Sequence, residues 1–146
     1  MEYIPEKREI ISKKELSNLD QFALDFIKVL EKYIDYVIIS GYVSIVLGRT
    51  RATEDIDIFI KPLTKESFSN LYKELKENGF WCLNAEDEKE IFSYLQDKLA
   101  VRFARVNTSV PNFEMKFPKD DLDEEAFNDS INLVLLTGKI KISSLE

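Results

Sequence analysis

Asp55 and Asp57 are separated by one residue in a stretch, Glu54 to Ile60, that alternates acidic and aliphatic side chains. Such alternation marks a strand with one buried face, on which residues i and i+2 project together. The two carboxylates therefore share a face, while Ile56 and Ile58 turn towards the core and the helices. Two carboxylates this close repel, and ionising both is costly without a counter-charge. A divalent cation removes that cost. Two such cations can activate a hydroxyl nucleophile and neutralise a triphosphate during in-line displacement. Just upstream, Ser40 and Gly41 follow a short apolar run, Tyr36 to Ile39, and precede a stretch, Tyr42 to Leu47, with the pattern of a short helix. A strand–Gly–helix junction exposes backbone N–H groups at a helix N-terminus, where phosphate is favoured. Ser40 and Ser44 add hydroxyl donors. Arg49, Arg51 and Thr53 fall in the loop just before the aspartates, where they suit phosphate contacts.

Composition narrows the chemistry in the same direction. The 146 residues include 27 Asp plus Glu, 20 Lys plus Arg, one Cys and no His, for a net charge of −7. Without histidine there is no Ser–His or Cys–His nucleophile pair, no imidazole base and no His-ligated zinc. Cys82 alone supports neither a disulfide framework nor a cysteine-rich metal site, and reads as a small buried hydrophobe. Carboxylates suit hard cations such as Mg²⁺. The acidic balance argues against a non-specific nucleic-acid binder but leaves room for a specific RNA or nucleotide substrate. No apolar run reaches the roughly 18–20 residues that span a bilayer. The N-terminal residues lack the apolar centre of a signal peptide, so a cytoplasmic location is the default expectation.

The elements that must position these residues are legible from periodicity. At 45% hydrophobic residues the chain can bury a core, and its length suits one domain over residues 1–146. Ser12-Lys13-Lys14-Glu15 reads as a capping box, and Leu16, Leu19, Phe22, Ala23, Phe26, Ile27, Leu30 and Tyr33 continue as an amphipathic stripe. A helix is expected over 13–33. A second helix opens at Pro62 and Thr64, buries Phe68, Leu71, Tyr72 and Leu75, and closes at Asn78-Gly79. Phe80 to Leu83 reads as a strand, with Phe80 and Trp81 in the core. Asn84 is expected to cap a third helix carrying Ile91, Phe92 and Leu95. Leu99 to Val106 and Asn112 to Phe117 alternate as strands. Asp120 to Asp129 contains a short helix with a solvated acidic face. Residues 131–136 and 139–143 form strands around Thr137-Gly138. The fold class is α/β (α+β): a small mixed sheet flanked by helices on one or both faces.

The run from Tyr36 to Ile60, with its strand, Gly turn, short helix and Asp-Ile-Asp strand, resembles the nucleotidyltransferase superfamily related to DNA polymerase beta. More narrowly, Gly48-Arg-Thr-Arg-Ala-Thr-Glu-Asp-Ile-Asp57 is similar to the minimal bacterial and archaeal nucleotidyltransferases, which include toxins of abortive-infection and other toxin–antitoxin systems. The resemblance is specific over residues 36–60, looser over 112–117 and weak elsewhere. It implies a nucleotidyltransferase fold with the carboxylates at one edge of the sheet. It implies transfer of a nucleoside monophosphate from an NTP, ATP in the first instance, with Mg²⁺ or Mn²⁺. Asp55 and Asp57 would be metal ligands and Gly41 would sit at the phosphate-binding turn.

The family also places a third carboxylate on a later strand. In Asn112-Phe-Glu-Met-Lys-Phe117, Phe113, Met115 and Phe117 share one face, and Glu114 and Lys116 the other. Glu114 is the only acid inside a plausible later strand, and is the candidate third ligand or general base. Lys116 would contact phosphate. The acceptor is left open between RNA, a protein hydroxyl and a small molecule. No membrane partner is implied, while a homodimer or a cognate partner protein stays open. Tyr42 stands where the family usually carries a second Gly or a Ser. That departure motivates an alternative, a catalytically weak or inactive nucleotide-binding module on the same fold. Blander roles remain for single residues: Glu114 as a strand acid paired with Lys116 or Arg102, and Arg49 or Arg51 as ion-pair partners of Glu54 or Asp35.

Overall fold

A computed structural model describes residues 2–4, 8–39 and 55–143. The expected short helix at 42–47, and Ser40, Gly41, Ser44, Arg49, Arg51 and Thr53 with it, lie outside the described residues. In chain order the described elements are β1 (Glu2–Ile4), β2 (Glu9–Ile11), α1 (Asn18–Leu30), β3 (Tyr36–Ile39), β4 (Asp55–Ile60), α2 (Lys65–Glu77), β5 (Phe80–Cys82), α3 (Glu88–Gln96), β6 (Val101–Arg105), β7 (Asn112–Lys116), α4 (Asp121–Asn128), β8 (Ser130–Leu135) and β9 (Gly138–Ser143). The strands form one mixed sheet in the order β1-β2-β8-β9-β3-β4-β7-β6-β5. The expectation of mixed α and β with helices against a sheet is met. The sheet is wider than a small one, because residues 2–11 add two strands that periodicity did not mark.

The central strands explain the layers. Ile56, Ile58 and Ile60 of β4 are fully buried on one face, in a core shared with Phe22, Phe26 and Leu30 of α1, Phe68, Leu71 and Leu75 of α2, and Ile91 and Leu95 of α3. The opposite face of β3 and β4 carries Val37 and Phe59, and these pack against Ala126 and Phe127 of α4. Thus α1, α2 and α3 cover one side of the sheet. On the other side, α4 packs against the β3–β4 region, on the same face of β4 as Asp55 and Asp57.

Local signals set the helix ends. Ser17 caps α1: its hydroxyl accepts from the Asp20 N–H, and the Asp20 carboxylate accepts from the Ser17 N–H at 2.9 Å. The helix therefore starts at Asn18 and not at 13. Ser12 instead extends β2, with its N–H donating to the Val134 carbonyl at 2.9 Å. Sheet pairing took the first candidate box, and a second Ser-x-x-acid box five residues later took the helix. Thr64 caps α2 as expected, and Gly79 follows its end at φ 85°. Asp87, not Asn84, caps α3. Asn84 is engaged elsewhere, its Oδ1 accepting from the Arg102 N–H at 2.7 Å.

Trp81 is a further correction. It is 37% exposed, because β5 alternates and only Phe80 and Cys82 face the core. Its indole Nε1 donates to the Thr108 carbonyl at 2.8 Å. Among the described residues, no helix is long and apolar enough to cross a membrane.

Candidate functional site

Asp55 and Asp57 lie on β4 with their side chains on the face opposite the main core, as alternation requires. Strand β7 runs parallel beside β4 and pairs Asp55 with Asn112, Asp57 with Glu114 and Phe59 with Lys116. Laterally paired residues share a face, so Glu114 stands next to Asp57. On the far side of β7, antiparallel β6 pairs Arg102 with Glu114. One row across three strands therefore reads Asp57, Glu114, Arg102. Strand β3 extends it with Ile39, the partner of Asp57.

Each acid has a different setting. Asp55 is exposed, at the start of β4, and its Oδ1 accepts from the Asn112 Nδ2 at 2.8 Å. Asp57 is half-buried, and its carboxyl is pushed above the usual carboxylate range. Burial is the main cause, followed by the negative charge of Glu114. Asp55 adds a smaller push, and a hydrogen bond with Glu114 also favours the proton. Lys116 pulls the other way. Glu114 is half-buried and meets the Arg102 guanidinium at 3.5 Å, a loose and partly exposed ion pair. Lys116 lies on the same face, with its ammonium 5.4 Å from the Phe59 ring centre.

Three predicted carboxylates and Lys116 are thus brought to one face of two neighbouring strands. They are not drawn into a cage: among the described residues, no three acidic or thiol side chains converge closely enough to hold a metal ion by themselves. Arg102 engages Glu114 at 3.5 Å, and Asn112 engages Asp55 at 2.8 Å. The donor set still suits a hard cation. It is all oxygen, and Asp57, raised first by burial and then by the charge of Glu114, stands beside a second carboxylate.

Two residues at the site carried weak signals in sequence. Asn112 is two positions before Glu114 on the same alternating face, a spacing that places it beside Asp55 once β4 and β7 are known to pair. Arg102 enters from sequence only as a partner of Glu114, and the ion pair is present. Other grooves hold structural ion pairs, such as Asp35 with Lys141 and Lys61, or Asp25 with Arg105 at 2.7 Å.

No protein-family model matches the chain, and no curated protein matches it.

Proposed function

We propose that this chain is a nucleotidyltransferase of the DNA polymerase beta-like kind, moving a nucleoside monophosphate from an NTP to an acceptor hydroxyl. The observation that carries the reading is the in-register pairing of Asp57 with Glu114, two residues along the strand from Asp55. Asp55, Asp57 and Glu114 would hold Mg²⁺ or Mn²⁺. When bound, the cation would neutralise phosphate charge and lower the pKa of the attacking hydroxyl. In the transfer the acceptor oxygen joins the α-phosphorus and pyrophosphate departs. Glu114, beside Asp57, serves as third ligand or as general base. Lys116 lies on the same face, where an ammonium favours a phosphate oxygen. Ser40, Gly41, Ser44, Arg49, Arg51 and Thr53, which the sequence nominates for phosphate contacts, would hold the triphosphate in the same reading. The acceptor is RNA, a protein hydroxyl or a small molecule, and a toxin–antitoxin setting with a cognate partner is the narrower version.

The test is Asp57→Ala, assayed by calorimetry with ATP and Mg²⁺ and by transfer of labelled nucleotide. Both signals are expected to vanish in a variant that keeps its circular dichroism spectrum. A folded variant with undiminished binding and transfer overturns the reading.

A second reading has a specific observation in its favour. Glu114 is engaged by Arg102 and Asp55 by Asn112, so two of the three acids already have protein partners. That suits a module that binds nucleotide without transferring it. Calorimetric NTP binding with no labelled product under any of several acceptors supports the module, and labelled product excludes it.

A further inference from the structure

Trp81 stands on the face of the sheet that carries Asp55 and Asp57, not on the side of the main core. The pairings set it there: Trp81 lies opposite Ala104, Ala104 opposite Asn112, and Asn112 opposite Asp55. One row across β5, β6, β7 and β4 therefore runs Trp81, Ala104, Asn112, Asp55. Three strand spacings, about 14 Å, separate its ends. The indole is 37% exposed, and its Nε1 donates to the Thr108 carbonyl at 2.8 Å, which restrains the plane of the ring. Its diagonal neighbours along β6 are Arg102 on one side and Val106, just past the strand, on the other, and both are exposed. Arg102 also heads the adjoining row, so a cation comes between Trp81 and the carboxylates of Glu114 and Asp57. Among the described residues, the apolar cluster on this face, around Val37, Phe59 and Ala126, takes no member from β5 or β6.

We propose that Trp81 is the stacking platform for a base of single-stranded nucleic acid at this edge of the sheet. An exposed aromatic face held in one orientation beside a guanidinium suits a nucleobase: ring stacks on ring, and the cation meets the phosphate that follows. Because the ring is already restrained, little ordering remains to be done on binding. The strand would pass from Trp81 over the Ala104 position, where the side chain is a single methyl, towards Asp55. That it is there as the acceptor rests on the proposed transferase reading; the stacking itself does not. Every base has a π-face, so the platform takes strands of differing sequence. The acids of the same face and the net charge of −7 disfavour many phosphate contacts, so affinity comes from stacking and depends little on salt.

Trp81 is the single tryptophan of the chain, so its emission reports on this site alone. The experiment titrates the full chain, without NTP, with short single-stranded oligoadenylates of the ribo and deoxy kinds. Saturable quenching is expected, with none from a duplex, and the tighter of the two arms names the source of the strand. By anisotropy of a labelled strand, Trp81→Ala is expected to bind about tenfold or more weakly. Trp81→Phe keeps a stacking face, is expected to recover most of the affinity, and serves if the alanine variant does not fold. No quenching by either strand overturns the proposal, as does undiminished affinity in folded Trp81→Ala. Emission that changes with protein concentration alone means that a second copy covers Trp81, and overturns it too. Binding lost in Trp81→Ala, with no labelled nucleotide transferred to the strand by wild type, leaves the platform standing and counts against the transferase reading. Transfer to the strand that is undiminished in Trp81→Ala does the reverse.

Discussion

Asp57 is the residue at which burial and like charge meet, and its proton balance has a measurable consequence. Its carboxyl is raised in the folded protein, first by burial and then by Glu114. A group with a raised folded pKa adds stability below its unfolded value, 3.8, and that contribution is lost as pH climbs through the folded value. At neutral pH the folded protein therefore carries a charge it would rather not hold. Asp57→Asn is expected to melt higher than wild type at about pH 7, with the gap closing by about pH 3. Thermal melts across that range check it, and a gap of constant size would show that charge is not the cause. Mg²⁺ in excess is expected to narrow the gap at neutral pH by stabilising wild type alone, through the linkage between binding and folding. A kindred residue-scale lesson comes from Trp81. An aromatic in a short apolar run looks like core until the strand's alternation is applied, and then only Phe80 and Cys82 turn inward.

At the scale of elements, capping chemistry decides where helices begin, but only after sheet pairing has taken its share. Two boxes compete ahead of α1. Ser12 is drawn into pairing with β8, so Ser17 and Asp20 close the helix. Ser17→Ala is expected to cost about 1 kcal/mol in urea unfolding, the usual loss for a cap hydroxyl. A loss indistinguishable from zero would mean that packing of α1 alone sets its start. Strand pairing settles the site in a similar way. Alternation within β4 puts Asp55 and Asp57 on one face, and alternation within β7 puts Asn112, Glu114 and Lys116 on one face. The parallel register between them is a separate fact, and it makes Asp57 and Glu114 neighbours.

For the whole molecule, the candidate site depends on a core that lies on the other side of the same strands. Phe26 of α1 is fully buried and stacks on Phe113 of β7 with ring centres 4.6 Å apart, and meets Phe80 edge-on at 5.2 Å. Phe113 lies between Asn112 and Glu114 in sequence, so this cluster anchors the strand that carries both. Phe26→Ala is expected to cost about 3–5 kcal/mol, the range for removing a buried aromatic. Denaturant unfolding checks the figure. Because the cavity would open beneath β7, the same variant is expected to weaken Mg²⁺ binding, even though Phe26 is on the opposite side of the sheet from the acids. Unaltered binding in a destabilised but folded variant would show that the site tolerates motion of β7.

By itself the sequence determined which way most strand and helix residues face, Trp81 being an exception. Period-two and helical spacing follow from backbone geometry alone, and so Ile56 and Ile58 inward, Asp55 and Asp57 outward, and the buried stripe of Phe68, Leu71, Tyr72 and Leu75 were all legible before any fold was known. The lack of histidine and the single cysteine likewise bounded the chemistry. Tertiary structure alone decided which strands lie side by side and in what register, because pairing depends on the whole set of competing partners and loop lengths and not on any local pattern. That is why Glu114 could be nominated from sequence but its place beside Asp57 could not. It is also why Asn112 and Arg102 became visible as partners of the carboxylates only when β7 was found between β4 and β6.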